Sequence, residues 1–235
     1  APPFPLPARI LGFDFGSQGA EITLVALHES QLESTTCYPE ELSLLHRNTV
    51  NKRRLEFALG RAAAHLALRA AGDDTSSPVL QNKDRDPAWP SGFVGSITHC
   101  GPWAMAAAAK AKSLESIGID LEDTEAVPFE EIAELVSTDA ERDWLLQSGN
   151  SKLKLAGLFS AKEAAYKALF PLCRKFLDFH SIDLAWFPDS QSFRGTLRED
   201  LSTDFPFGYG LQIGIQRYAN FVFTHTVIRK PAADE

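Results

Sequence analysis

The stretch GIDLED, residues 118–123, decides how this chain is read. It follows apolar residues and alternates Ile119 and Leu121 with Asp120 and Glu122, the period of a half-buried strand. Positions i and i+2 of a strand project from one face, roughly 7 Å apart. Asp120 and Glu122 therefore share a face. Two carboxylates that close repel each other unless water or a cation separates them. Taken alone, the pair reads first as a solvated strand edge. The sharper reading is a hard cation, because magnesium takes one or two protein carboxylates and fills its remaining positions with water and phosphate oxygens.

A second segment, FSAKEAAYKA (159–168), bears on that choice. It lies in a helix predicted over 152–170 and ended by Pro171. Phe159, Glu163 and Lys167 fall at i, i+4 and i+8 on one side, flanked by Lys162 and Tyr166. A surface Glu163–Lys167 pair is the plain reading. The other is a third carboxylate, with a lysine beside it, facing the strand pair. A third segment, GSITHC (95–100), ends a strand just before Gly101 and Pro102. The Ser96 and Thr98 hydroxyls and the His99 imidazole suit phosphate oxygens there, although a lone histidine is more often structural.

Around these segments the pattern is mixed. Residues 8–28 read as two strands about a Gly/Ser turn. Gly12, Gly16 and Gly19 are turn glycines: their spacing does not fit a nucleotide fingerprint, and a strand follows where a helix is required. Residues 50–71 read as a helix with Thr49 as N-cap, Gly72 just past its end, and Leu55, Leu59, Ala62 and Leu66 as its apolar stripe. In WAMAAAAKAK alanine favours a helix, but the place between two strand-like runs favours a buried strand, which we prefer. STDAERDWLL opens a helix with a capping box from Thr138 to Glu141. Four more strands follow, in SIDLAWF, SFRGTL, YGLQIGIQR and NFVFTHTVI. Strands, helix, strands, helix, strands predict an α/β (α+β) chain of two similar halves, 1–112 and 113–235, with a break near 111–116.

The bulk numbers set bounds. The 235 residues are 44% hydrophobic and 23% charged, an ordinary globular composition. A net charge of −8 argues against a general nucleic-acid binder. No apolar run approaches a membrane span. The start APPFPLP has no basic region before an apolar core and does not read as a signal peptide. Cys37, Cys100 and Cys173, odd in number and far apart, fit neither a disulfide framework nor a zinc site. The expectation is a cytoplasmic protein.

GSITH, GIDLE and FSAKEAAYKA, in this order, resemble the three signature motifs of the 4'-phosphopantetheinyl transferase superfamily, in its single-chain pseudodimeric type. KRRLEFALGRAA and DPAWPSGFVGSITHC place the chain nearer the enterobactin-synthase component D branch than the surfactin-synthetase activator. The resemblance runs from about residue 50 to 170. It implies two halves related by a pseudo-twofold axis, with a cleft between them for coenzyme A and magnesium. It also implies transfer of 4'-phosphopantetheine from coenzyme A to a serine of an acyl or peptidyl carrier protein, releasing 3',5'-ADP.

By the same resemblance, Asp120, Glu122 and Glu163 hold magnesium (manganese is the other fitting ion). Glu163, or a water it positions, is the general base. Lys167 serves the leaving phosphate and Lys162 contacts phosphate or pantetheine. His99 bonds the pyrophosphate, and Ser96 with Thr98 a phosphate oxygen. Arg53 and Arg61 match the arginines that bind the 3'-phosphate of coenzyme A, with Arg54 as a substitute. Relatives carry a lysine in the loop before WP. Gln81 stands there in this chain, with Lys83 and Arg85 nearby. Phe159 stands where the surfactin branch has tryptophan. For the carrier, Lys152 and Lys154 are the basic docking candidates, in a protein expected to be a monomer. A metal-dependent phosphohydrolase using the same acids, and a module that binds coenzyme A or carrier without chemistry, are the rival readings.

Overall fold

Trp103–Lys110 is a strand, as preferred from its place in the sequence, and every side chain from Trp103 to Ala109 is buried. The helical preference of alanine yields because small side chains let a helix lie close across a sheet. In the computed structural model, which describes residues 9–11, 22–32, 37–75, 77–112, 114–126, 128–147 and 149–231, the chain forms two units. The first comprises Ala1–Ile117 and Ile228–Glu235, the second Gly118–Val227.

In the first unit, β1 (Arg9–Leu11) and β2 (Thr23–His28) precede the short α1 (Pro39–Leu42) and the long α2 (Asn51–Ala70). A small hairpin, β3 (Leu80–Gln81) with β4 (Pro87–Ala88), leads to β5 (Phe93–Cys100) and β6 (Trp103–Lys110). The main sheet is antiparallel, ordered β1-β2-β6-β5. The two strands expected within 8–28 are present, while the turn glycines between them lie outside the described residues.

The long helix α2 matches its expected span but not its expected face. Leu59, Ala62, Ala63, Ala67 and Leu68 meet Val25, Leu27, Ala104, Ala106 and Ala108 of the sheet, whereas Leu55 and Leu66 are exposed. Close approach decides this. A Cβ on Gly60 would already stand 3.0 Å from Ile97 Cγ2, so the face rich in alanine, with Leu59 and Leu68 at its edges, goes inward, and Leu55 and Leu66 turn out. The N-cap is Val50 rather than Thr49, and it makes no side-chain cap. The Thr49 peptide is held in the preceding turn, where its N–H donates to His46 O (2.9 Å) and its carbonyl accepts from Arg54 Nε (3.0 Å). The helix ends as expected at Gly72, φ +93°, with Gly72 N–H on Arg69 O and Asp73 N–H on Leu68 O.

The division between the units falls inside β7 (Leu114–Asp123) and inside the last strand. After β7 come α3 (Phe129–Val136), α4 (Asp139–Leu146), α5 (Ser151–Cys173), β8 (Ile182–Phe187), β9 (Ser192–Leu197), β10 (Gly210–Tyr218) and β11 (Phe221–Arg229). The five-stranded sheet is ordered β7-β11-β10-β9-β8. Sheets and helices in both units bear out the mixed α/β expectation. Asn150 caps α5 through Oδ1 to Leu153 N–H (3.1 Å). The helix continues past Pro171 to Cys173, because a proline in the last turn forgoes only one bond. It stops where Arg174 turns left-handed, φ 54°.

Gly118 sets the position of β7 against α5. A Cβ there would overlap the Ala164 carbonyl oxygen and stand 2.9 Å from Ala168 N. Strand backbone therefore rests directly on helix backbone. Gly118→Ala should lower stability by about 1–3 kcal/mol through overpacking, read as a shifted midpoint in urea unfolding; an unchanged midpoint would remove this contact from the account.

Candidate functional site

The second unit assembles the acids expected from the motifs. Asp120 and Glu122 project from β7, the first buried and the second half-buried, and Glu163 and Lys167 come from α5. The Lys167 ammonium donates to Asp120 Oδ1 (2.6 Å) and to Ile119 O (3.2 Å). Burial, then the charges of Asp120 and Glu163, push the Glu122 carboxyl up to about 8, with Lys167 opposing. Burial and Asp120 also raise Glu163, again against Lys167. These acids feel one another, and one lysine does not neutralise three carboxylates.

A cluster of hard oxygen donors whose ionisation is opposed by burial and crowding fits a magnesium ion, which would favour the charged forms. Among the described residues no three acid, histidine or cysteine side chains stand in metal-holding geometry as placed. Lys167 occupies Oδ1 of Asp120.

Lys162, its neighbour in sequence, lies elsewhere. Its ammonium is buried, with acceptors at Val136 O (2.8 Å), Glu141 Oε2 (2.7 Å) and Phe179 O (2.6 Å). Both side chains of the ion pair are only 1% exposed. With all three N–H groups used, Lys162 has none left for phosphate or pantetheine, which corrects that assignment. Glu141 does more than close the expected capping box. It accepts from Thr138 N–H (2.7 Å) and also from Leu184 N–H (2.7 Å), so one carboxylate joins α4, α5 and β8. Phe159 packs its ring on Phe179, 5.5 Å between centroids.

In the first unit, Arg53 Nη1 donates to His99 Nε2 (3.0 Å), and Glu56 Oε2 lies 3.4 Å from Arg53 and 3.8 Å from His99. His99 points to the α2 side of β5. Ser96 and Thr98 point to the opposite side and are buried. The structure thus joins His99 with Arg53 and separates it from the two hydroxyls. Arg61 is 5% exposed and stacks over Phe57, 4.6 Å to the ring centroid. Its Nη2 donates to Leu80 O (3.3 Å), and its Nε is buried with no hydrogen-bond partner among the described residues. Leu80 opens the hairpin whose tight turn carries exposed Lys83 and Arg85, the latter left-handed at φ 70°. Gln81 lies in β3 itself. Arg54 is spent on the carbonyls of His46, Arg47 and Thr49.

Sequence reasoning missed three of these residues. A glycine inside a strand pattern signals close backbone approach, and Gly118 carried that signal. Glu56, three residues after Arg53, was legible as its helical neighbour. Glu141 was read only as a cap; no local pattern reveals its pairing with Lys162, 21 residues on.

Two outcomes follow. Lys162→Met should cost about 3–5 kcal/mol, because it strands a buried carboxylate. Adding Glu141→Gln should restore part of that loss in urea unfolding; a phosphate contact would instead leave stability unchanged. The second concerns pH. Glu122 rises from 4.5 to about 8 in the fold, so the folded state binds the extra proton between those values. By linkage, its contribution is full below the unfolded value and is lost as pH rises through the folded one. Glu122→Gln should flatten the decline in Tm across that window.

Comparison with known proteins places these residues in a family. The 4'-phosphopantetheinyl transferase N-terminal domain model matches residues 40–109, and the 4'-phosphopantetheinyl transferase superfamily model matches 116–222. The chain is 39% identical over 163 residues to 4'-phosphopantetheinyl transferase Svp of Streptomyces mobaraensis, covering 68% of this chain and 65% of that protein. It is 36% identical over 161 residues to 4'-phosphopantetheinyl transferase PptT of Mycobacterium tuberculosis, covering 68% and 70%. Enterobactin synthase component D of Escherichia coli is 38% identical over 119 residues, 50% of this chain and 55% of that one. The solved holo-[acyl-carrier-protein] synthase of Thermotoga maritima overlays 49% of this chain and 63% of its own at a TM-score of 0.41 and 24% identity. With both family models on adjoining stretches and the match to PptT reaching 70% of that relative's length, the chain belongs to the 4'-phosphopantetheinyl transferase superfamily.

Proposed function

We propose that this chain transfers 4'-phosphopantetheine from coenzyme A to a serine of an apo carrier protein, acting in the cytoplasm as a monomer. The observation that carries the reading is the three-acid group of Asp120, Glu122 and Glu163 with Lys167 beside it. The serine oxygen forms a bond to the phosphorus that bears pantetheine. The bond from that phosphorus to the bridging oxygen breaks, and 3',5'-ADP leaves with its electron pair. Asp120, Glu122 and Glu163 would hold magnesium, or manganese, whose charge offsets that of the pyrophosphate.

The chain's own groups divide the remaining work. Glu163, or a water it positions, accepts the serine proton as general base. Lys167, held by Asp120 in the metal-free site, would serve the leaving phosphate, with Asp120, Glu122 and Glu163 left to hold the ion. In the first unit, Arg53, 52% exposed, presents its guanidinium to the 3'-phosphate, and His99 beside it bonds a pyrophosphate oxygen. Ser96 and Thr98 serve a phosphate oxygen from the other face of β5. Arg61 acts through the hairpin it holds at Leu80, which presents Lys83 and Arg85. For the carrier, exposed Lys152 is the basic docking residue, because Lys154 is only partly exposed and faces the cavity beside Trp144.

The test is incubation of an apo carrier protein with coenzyme A and magnesium. A carrier heavier by one phosphopantetheine group, with equimolar 3',5'-ADP, is expected. Asp120→Ala should abolish transfer throughout a magnesium titration. Free 3',5'-ADP beside an unmodified carrier would mean a phosphohydrolase, and neither product a binding module.

A further inference from the structure

We propose that the second unit carries a separate binding site for an aromatic carboxylate, in the cavity between the start of α5 and the β8–β10 face of its sheet. The cavity holds about 780 Å³, within the size range of small-molecule sites. Trp144, Trp186 and Phe193 form one aromatic wall, with ring centroids 5.0–6.4 Å apart at tilted or edge-on angles. Ile215 and Val222 complete the apolar lining. Rings so arranged leave faces and edges for a further flat ring.

The charged part of the lining is one-signed, beside the neutral amides of Gln147, Gln191 and Gln216. Lys154 and Arg217 border the cavity, and among the described residues no acid does. Among the described residues both cations bond only to neutral groups. Lys154 Nζ donates to Trp144 O (2.9 Å) and Gln147 O (3.0 Å) and lies 5.1 Å from the Trp144 ring centroid. Arg217 donates through Nε to Ala219 O (3.0 Å), which leaves its Nη groups for a ligand. Two uncompensated cations beside aromatic rings select an anion with a flat apolar body.

The site is also preformed. Gln191 at its rim is held left-handed, φ 46°, with its side-chain Nε2 on Pro188 O (3.0 Å) and its carbonyl accepting from Ile215 N–H (3.2 Å). It is distinct from the acid group. Lys154 lies nine residues before Glu163, which puts the two on opposite sides of α5.

The probe is 2-naphthoate, followed by the indole N–H signals of the four tryptophans in a heteronuclear NMR titration. Saturable shifts are expected at Trp144 and Trp186, with Trp89 and Trp103 unmoved. Neutral 2-naphthalenemethanol should bind at least tenfold more weakly, since it forms no charge-assisted bond. Arg217→Gln, an exposed substitution, should weaken naphthoate about tenfold and leave the alcohol unaffected. Lys154→Met should act the same way, but it also removes a link to α4, so the arginine variant decides. No saturable shift, shifts at all four indoles, or equal affinity for acid and alcohol would overturn the site. Decanoate binding as tightly as naphthoate would overturn its aromatic character.

Discussion

The second unit depends on a contact with no side chain on one partner. At Gly118 the backbone of β7 lies against the backbone of α5 at Ala164 and Ala168. Alanines at 161, 164, 165 and 168, all fully buried, keep that approach narrow along the helix. The consequence is chemical. Residues just after Gly118 on the strand come within reach of the helix side chains that flank Ala164. Lys167 therefore touches Asp120 and the Ile119 carbonyl, and Glu163 feels the charge of Asp120. A bulkier residue at 118 would push the strand away and separate the acids.

The same helix carries two lysines with opposite tasks. Lys162 is buried among three acceptors and tied to Glu141, so its charge is spent on architecture. It fixes the rotation of α5 at the residue before Glu163. Lys167 remains partly open, and its partner is one of three mutually repelling carboxylates. A buried ion pair with every donor used resists rearrangement. A lysine among competing acids can change partners when another cation arrives. One helix thus carries a fixed support and a more exposed cation.

In the first unit the small side chains of β6 do comparable work. They bring α2 close to the sheet, and two consequences follow. Arg53 reaches His99 at the end of β5, and Arg61 is drawn inward until its guanidinium lies over Phe57 and beneath the β3–β4 hairpin. An arginine so buried needs an acceptor to hold it. The Leu80 carbonyl supplies one, which makes Arg61 a support for the loop that bears Lys83 and Arg85.

Local chemistry in the sequence determined the elements and the acid group. Alternation in GIDLED, the i, i+4, i+8 spacing of Phe159, Glu163 and Lys167, and the capping signals at Gly72 and Glu141 depend on neighbours a few residues apart. Order and spacing of three motifs carried the family. Tertiary structure alone decided which polar groups were used up. Lys162 and Lys167 look alike in a helical pattern, and only packing sends one to Glu141 and the other to Asp120. Leu55 and Leu66 outrank alanine in hydropathy, yet α2 turns them out and buries Ala63, Ala64 and Ala67, because distance to the sheet was limiting there. Arg61 matched a ligand-binding pattern, and its burial over Phe57 with Leu80 O as acceptor was not legible, since burial is set by the whole fold and spacing along the chain does not encode it.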